Sequence, residues 1–262
     1  QKARFEEARE CDLAYGIPGL GRFRVNIFQQ RGTIGIVFRV IPFGVKTIEQ
    51  LVLPRVIERI AMENRGLVLV TGTTGSGKST TLAAMIDHIN SNRTCHIMTI
   101  EDPIEFLIRD RRSLVNQREI GVDTQSFANA LRAALRQDPD VILVGEMRDI
   151  ETVSAALMAA ETGHLVLATL HTVNAVQTME RIISFYPPHQ HHTVRLQLAL
   201  TLEGVVSQRL ITRRTMAGRV PAVEILLGTP TVKEMVLEGR TRELPQALEE
   251  GHEYYATQTF NQ

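Results

Sequence analysis

One glycine-rich segment constrains the fold of this chain more than any other feature of its sequence. Residues 72–79 read Gly-Thr-Thr-Gly-Ser-Gly-Lys-Ser, a complete G-x-x-x-x-G-K-S pattern. A short apolar run at 67–70 precedes the segment, and apolar residues at helical spacing follow it. A strand, a glycine loop and a helix in this order surround an anion with backbone N–H groups and the helix N-terminus. The sequence therefore predicts a phosphate-binding loop (P-loop) and a nucleotide site.

Two side chains of this loop have defined tasks in phosphate chemistry. A lysine at the position of Lys78 neutralises β- and γ-phosphate oxygens, and the hydroxyl of Ser79 is a ligand for Mg²⁺. The alternative is a chance glycine-rich turn before a helix, which the matched positions and the correct flanks disfavour. The candidate nucleotide-binding residues are Thr73, Thr74, Gly75, Ser76, Gly77, Lys78, Ser79 and Thr80.

Short apolar runs recur after residue 66 and alternate with stretches of helical spacing. Runs of this length, nearly without polar residues, are typical of parallel strands buried on both faces. Their alternation with amphipathic helices predicts an α/β fold, with a doubly wound sheet and helices on both faces. The predicted strands are residues 67–70, 95–100, 141–144 and 164–170.

Further elements are predicted on either side of this pattern. Two strands that alternate apolar with polar residues predict a hairpin at 22–28 and 34–41, and such a hairpin needs a larger sheet to be stable. A second hairpin is expected at 207–213 and 219–227. Helices are expected at 47–64 with a kink at Pro54, at 127–135, at 150–160, at 188–206 and at 229–239. The expected helix N-caps are Asp123 or Thr124 and, for the next helix, Asp149.

Charged groups follow three of the predicted strands. Glu101 and Glu105 come after the second run, Glu146 after the third and His171 after the fourth. Ligands of open α/β sheets bind beyond the carboxyl ends of the strands. We therefore expect these four side chains at the same edge as the P-loop.

Each of these groups suits a role in hydrolysis. Glu146 can hold the water shell of Mg²⁺, and either Glu105 or Glu101 can orient or deprotonate an attacking water. His171 can hydrogen-bond the γ-phosphate and respond to its loss. For any single glutamate the alternative is an ordinary solvated surface residue, but convergence at one edge favours a site. The predicted catalytic residues are Glu105, Glu146, Glu101 and His171, with Ser79 and Glu146 as the Mg²⁺ ligands.

The other histidines have different expected roles. His164 begins the strand that His171 ends, so about 23 Å separates the two at roughly 3.3 Å per residue. They cannot contact the same phosphate, and we expect His164 to orient other groups or to lie at a subunit interface. The histidines at 189, 191 and 192 do not have the spacing of a common zinc site.

Composition disfavours several classes of protein. Twenty-nine Lys and Arg balance 29 Asp and Glu, so the chain has no basic excess for duplex DNA, and no nucleic-acid partner is expected. Two cysteines, Cys11 and Cys95, exclude a disulfide framework and favour a reducing, cytoplasmic compartment. No apolar run approaches the roughly 18 residues of a membrane span, so direct membrane insertion is not expected.

From about Arg22 to Leu227 the chain resembles the type IV pilus retraction ATPases, the PilT-like branch of the secretion-ATPase superfamily. Four motifs carry the resemblance in the family's order. They are similar to its Walker A (72–80), its Asp box (99–106), its Walker B (138–149) and its His box (163–172). The four-cysteine zinc insert of the pilus-extension and type II secretion branches is absent here, which favours the retraction branch.

This resemblance implies a fold, a reaction and partners. It implies a RecA-like P-loop ATPase domain preceded by a partial PAS-like α+β domain, with Glu105 as the catalytic carboxylate and Glu146 as the Walker B glutamate. ATP and Mg²⁺ would be the cofactors. Six copies would form a ring in the cytoplasm, peripheral to the inner membrane through a pilus platform protein and the pilus machinery. The expected domains are 1–45 (partial PAS-like), 46–64 (linker and connecting helix) and 65–262 (ATPase).

Arginines of the first domain are expected to contact the γ-phosphate across the cleft between the domains, because the guanidinium fork matches phosphate oxygens. The alternative for at least half of them is a solvated strand face. The candidates are Arg22, Arg24, Arg31, Arg39 and, from the second domain or a neighbouring copy, Arg181. Three other functions stay open: a pilus-extension or type II/IV secretion ATPase, a nucleotide-binding accessory subunit with little turnover, and a DNA translocase.

Overall fold

The computed structural model describes residues 2–17, 21–41, 44–214 and 217–260, which form two sheets. The first is a three-stranded antiparallel sheet in the order β1-β2-β3, with helix α1 (Lys2–Ala8) beside it. Its strands are β1 (Glu10–Ile17), β2 (Gly21–Gln30) and β3 (Thr33–Ile41). Strands β2 and β3 confirm the predicted hairpin, and β1 is the additional strand that this hairpin required.

The second sheet has seven strands in the order β10-β9-β4-β8-β7-β5-β6. Six of them are parallel, and β10 pairs with β9 in the antiparallel direction. Every residue of β4, β7 and β8 is buried, as expected for strands covered on both faces. The strands are β4 (Gly66–Thr71), β5 (His96–Glu101), β6 (Leu114–Glu119), β7 (Val141–Val144), β8 (Leu165–Leu170), β9 (Leu202–Thr212) and β10 (Arg219–Leu227).

Helices cover both faces of the seven-stranded sheet, which confirms the predicted α/β class. Alternate residues of β4 belong to different cores: Leu67 and Leu69 pack with α4 to α9, whereas Val68 and Val70 pack with α2 and α3. The helices are α2 (Val56–Ala61), α3 (Lys78–Asn92), α4 (Phe127–Ala134), α5 (Ile150–Glu161), α6 (Ala175–Ser184), α7 (His191–Thr201), α8 (Pro230–Glu238), α9 (Leu244–Glu250) and α10 (His252–Tyr255). Within the described ranges, no helix is both long enough and apolar enough to span a membrane.

Two predicted helices are shorter than expected. The segment 47–53 forms turns, with Val52 at a φ of 58°, and helix α2 begins only at Val56. Pro54 lacks an N–H and disfavours helical backbone at Leu53, which explains this break. The helix predicted at 188–206 ends at Thr201, because the following valines extend as β9 beside β4.

Strand β6 and the cap of helix α4 are among the features that the sequence patterns missed. Strand β6 lies at the sheet edge and its last four residues are all polar or charged, so it lacks the apolar run that revealed its neighbours. The N-cap of α4 is Ser126, whose side chain accepts a hydrogen bond from the Asn129 N–H. The prediction of Asp123 or Thr124 as this cap was wrong. Asp149 does cap α5, accepting from the Thr152 N–H at 2.7 Å, as predicted.

Candidate functional site

The P-loop connects β4 to α3, and its shape requires glycine at two positions. Gly72 has a φ of 146°, and a Cβ there would collide with the carbonyl oxygen of Gln208. Gly77 has a φ of 95° and precedes the first residue of α3, where a Cβ would lie 2.8 Å from the Gln208 side chain. Positive φ values and close backbone approach both exclude larger residues. The loop therefore has the tight curvature of an anion cradle at a helix N-terminus.

Gln208 on β9 is a structural support of the loop that sequence reasoning missed. Its side chain is buried, donates to the carbonyl oxygen of Ser76 at 2.8 Å and accepts from the Thr81 hydroxyl at 2.8 Å. These contacts join the last parallel strand to both the loop and helix α3. Because Gln208 and Ser76 are 132 residues apart in sequence, no local pattern indicates this pairing.

Lys78 lies at the centre of the site. Its Nζ donates to the carbonyl oxygens of Gly72 (2.8 Å) and Thr73 (3.2 Å), and it lies 3.3 Å from Nδ1 of His171. Burial lowers the pKa of Lys78, while the charges of Glu146 and Glu105 oppose this shift. The hydroxyl Oγ of Ser76 is buried without a hydrogen-bond partner among the described residues. A curved loop with a lysine and an unpaired hydroxyl fits a phosphate group.

Glu146 and His171 meet beside this lysine, as predicted from the ends of their strands. Oε1 of Glu146 lies 3.1 Å from Nε2 of His171, and its Oε2 accepts from Nη2 of Arg148 at 2.7 Å. Burial alone would raise the pKa of Glu146, but Arg148 and His171 together hold it below its ordinary value. Glu146 is therefore ionised at the near-neutral pH at which nucleotide enzymes act.

Arg148 was not predicted as a site residue. It is two residues beyond Glu146 and links that carboxylate to Asp102, whose Oδ2 lies 3.9 Å from the Arg148 guanidinium. A signal for it was present in the sequence, since a cation directly after a strand-end glutamate can pair with it. The bridge connects the loop after β5 to the loop after β7.

The two glutamates of the acidic loop after β5 have different environments. Glu101 accepts hydrogen bonds from the Thr99 hydroxyl at 2.7 Å, from the Gln117 amide at 3.1 Å and from the backbone N–H of Glu105. Burial raises the pKa of Glu101 despite these bonds. Glu105 is exposed and lines the same cleft as Lys78. The geometry thus presents Glu105 to a ligand and uses Glu101 to hold the loop.

A cleft of about 650 Å³ brings these groups together. Its lining combines the P-loop, the start of α3, the acidic loop and the ends of β7 and β8. The lining residues from the predicted site are Thr74, Gly75, Gly77, Lys78, Ser79, Thr80, Glu101, Glu105, Glu146, His171 and Arg39. Thr73 and Ser76 line a second cavity of about 380 Å³ on another side of the same loop.

Of the predicted arginines, only Arg39 lines the 650 Å³ cleft. Arg24, its cross-strand partner, lines a separate cavity with Asp102, and Arg22 pairs instead with Glu119 at 2.8 Å. Arg31 is exposed at the turn between β2 and β3, and Arg181 lies over the ring of Phe185, 4.5 Å from its centroid. The structure of this single chain does not bring these four arginines to the 650 Å³ cleft.

His164 lies at the opposite end of β8 from His171, as the strand length predicted. Its Nδ1 is 2.9 Å from the carbonyl oxygen of Ala159, so the imidazole is held against the end of α5. Among the described residues, no cluster of three His, Cys, Asp or Glu side chains could hold a metal ion.

Comparison with known proteins places this geometry in a family. A profile described as "Type II/IV secretion system protein" matches residues 46–256. The chain is 50% identical over 251 residues to the type IV pilus retraction ATPase PilT of Pseudomonas aeruginosa, covering 96% of this chain and 73% of that protein. It is 48% identical over 251 residues to a twitching motility protein of Neisseria gonorrhoeae, covering 96% of this chain and 67% of that protein.

Solved structures agree with the sequence comparison. A crystal structure of the pilus retraction motor PilT with bound ADP superimposes with a TM-score of 0.92 at 46% identity, covering 95% of this chain and 73% of that chain. The match includes both sheets described above, because it extends over nearly all of the sequence. With the P-loop, the acidic loop and the Glu146–His171 pair in one cleft, the chain belongs to the type II/IV secretion system protein family of ATPases.

Proposed function

We propose that this protein hydrolyses ATP in the 650 Å³ cleft and that this reaction powers retraction of type IV pili, the motion behind twitching motility. One observation carries the proposal. The P-loop lysine, the ionised Glu146, His171 and the exposed Glu105 all face one cleft, in a chain half identical to a retraction ATPase.

Phosphate binding is assigned to the P-loop. Backbone N–H groups of residues 73–80 and the N-terminus of α3 would surround the phosphates, and Lys78 would turn from the carbonyl oxygens of Gly72 and Thr73 to the β- and γ-oxygens. The Ser79 hydroxyl and Glu146, partly through water, would hold Mg²⁺, which neutralises charge that develops on the phosphates. Both residues line the cleft, and the lowered pKa of Glu146 favours this role.

Water activation is assigned to Glu105, with Glu101 as its support. Within the part of the chain that the structure describes, no side chain is hydrogen-bonded to the Glu105 carboxylate, and Glu105 is exposed and lines the cleft. Glu101 already accepts three hydrogen bonds, so it orients the loop better than it could accept a proton from water. His171, between Lys78 and Glu146, would respond to the γ-phosphate.

The motor action would come from movement between the expected domains, 1–45 and 65–262, joined by 46–64. Arg39 lines the cleft from the first sheet, so loss of the γ-phosphate would remove a contact between the domains and allow a rigid-body rotation. In a ring of six copies this rotation would pass between neighbours. The ring would lie on the cytoplasmic side of the inner membrane and act on a platform protein there. The balanced charge of the chain disfavours a nucleic-acid substrate.

The decisive experiment compares Glu105→Gln with the unsubstituted protein. Phosphate release should fall by roughly 10²- to 10⁴-fold, because a positioned general base is lost, while ATP binding persists. Glu249→Gln, an exposed carboxylate on α9, is the matched control and should leave the rate unchanged. Full turnover in Glu105→Gln would refute the assignment of Glu105. Phosphate release at background in the unsubstituted protein would favour the accessory nucleotide-binding subunit.

The direction of the motor is tested in cells. Deleting the gene should give cells with excess pili that do not twitch, since pili would assemble without being withdrawn. Cells without pili would instead indicate the pilus-extension branch, and a secretion defect with normal pili would indicate a secretion ATPase. Sizing the purified protein with and without nucleotide tests the six-membered ring.

A further inference from the structure

The carboxylate of Glu119 lies where the two sheets and the acidic loop meet. Glu119 ends β6, directly beside Glu101 in the parallel register, and its side chain is only 5% exposed. Its Oε2 accepts two hydrogen bonds, from Nη2 of Arg22 at 2.8 Å and from the backbone N–H of Ile104 at 3.2 Å. One oxygen thus connects β2 of the first sheet to the residue before Glu105.

Three side chains from β5 and β6 hold the backbone of the acidic loop. Glu101 accepts from the N–H of Glu105, and Glu119 accepts from the N–H of Ile104. Gln117 donates to the carbonyl oxygen of Phe106 at 2.9 Å and accepts from the N–H of Ile108 at 2.9 Å. Of these three side chains, Glu119 alone also bonds to the first sheet within the described ranges.

The backbone around Glu119 is held independently of its side chain. Its N–H donates to the Asp123 carboxylate at 2.8 Å, and the next N–H, of Ile120, donates to the carbonyl oxygen of Glu101 at 2.9 Å. A shift of the first sheet would therefore leave the end of β6 in place and remove the guanidinium from the carboxylate. A buried carboxylate that loses its cation is strongly destabilised, so the carboxylate and its bond to Ile104 would have to rearrange.

We infer that Arg22 is a positioning residue, acting through Glu119 on the loop that carries Glu105. With the first sheet in place, Arg22 orients the Glu119 carboxylate, which in turn holds the backbone N–H of Ile104, the residue before Glu105. When the sheet moves away, the loop loses its hydrogen bond to Glu119. The inference rests on the proposed function of Glu105. It gives Arg22 a role distinct from that of Arg39, which lines the nucleotide cleft itself.

Substitutions at both ends of the pair test this inference. Arg22→Gln should lower kcat for phosphate release by roughly tenfold, since a small displacement of a catalytic group has effects of that size or larger, with KM for ATP within about twofold. Arg22→Lys should restore part of the rate, because it returns the charge without the guanidinium fork. Arg9→Gln, an exposed arginine before β1, removes the same charge and should behave as the unsubstituted protein.

Thermal unfolding of Arg22→Gln, Glu119→Gln and the double variant gives a second readout that does not depend on catalysis. The double variant should be less destabilised than the sum of the two single variants, because it leaves no unpaired buried charge.

Additive effects would overturn the inference whether or not ATP is hydrolysed. An unchanged kcat in a folded Arg22→Gln would also overturn it, and a raised KM with unchanged kcat would make Arg22 a nucleotide contact instead. No phosphate release from the unsubstituted protein would contradict the proposed function rather than this link.

Discussion

The two sheets of this protein bury their side chains in different ways. On β4 of the seven-stranded sheet every residue is buried, and Val70 is 0% exposed. On β3 of the three-stranded sheet Val40 is 65% exposed, and Ile34, Ile36 and Phe38 lie on the same open face by strand alternation. The opposite face of β3 carries Arg39 toward the cleft.

This difference matches what the proposed movement between the domains would require. The large sheet is covered on both faces and holds the P-loop by buried hydrogen bonds, as a preorganised phosphate site requires. The small sheet meets it through polar groups such as Arg22 and Glu119, which form an ion pair at 2.8 Å. A motor whose chemistry is linked to domain movement needs both properties.

The largest expected effect comes from placing a methyl group in the P-loop. Gly72→Ala would force a Cβ into the carbonyl of Gln208 at a φ of 146°, and should lower the free energy of unfolding by about 3 kcal/mol and abolish ATP binding. Gly16→Ala on β1 has open space around its Cβ and should stay within about 0.5 kcal/mol. Chemical denaturation and nucleotide titration measure both. Equal effects of the two substitutions would mean that the large sheet is no more constrained than the small one.

An intermediate effect is expected from removing the support below the loop. Gln208→Ala leaves the Ser76 carbonyl and the Thr81 hydroxyl without their partner and should destabilise the protein by about 2 kcal/mol, with weaker ATP binding. Gln29→Ala, an exposed glutamine on β2, is the matched change in the small sheet and should stay within about 0.5 kcal/mol. Unaltered nucleotide affinity in Gln208→Ala would show that the loop keeps its shape without β9.

The smallest effect concerns the charge of Glu101. Because its folded-state pKa is raised, its contribution to stability is greatest below the unfolded pKa of about 4.5 and is lost as pH rises through the folded pKa. Glu101→Gln keeps an acceptor for Thr99 but cannot ionise, so the variant does not lose stability through ionisation of a buried carboxyl at this position. It should therefore gain stability relative to the unsubstituted protein as pH rises from 4 to 8. Melting temperatures across that range test it. A constant difference between the two proteins at all pH values would contradict the raised pKa.

The parts of the site that the sequence predicted are those with local patterns. The P-loop occupies eight consecutive positions, and Glu146 and His171 each follow an apolar run directly. Strand direction then required these groups to meet, and they do, within hydrogen-bonding distance of each other. The parts it did not predict are long-range pairs, such as Gln208 with Ser76 and Arg22 with Glu119, the latter 97 residues apart. No periodicity marks a polar residue whose partner comes from another strand.

The sequence by itself determined the α/β order of elements, the phosphate loop and the edge of the sheet where the charged groups gather, because hydrophobic periodicity and glycine conformation act over a few residues. Only the tertiary structure decided which glutamate is exposed to the cleft and which holds the loop, and which arginine lines the cleft and which pairs with Glu119. Those assignments depend on burial and on partners from distant strands, since identical side chains differ in role only through the surroundings that packing creates.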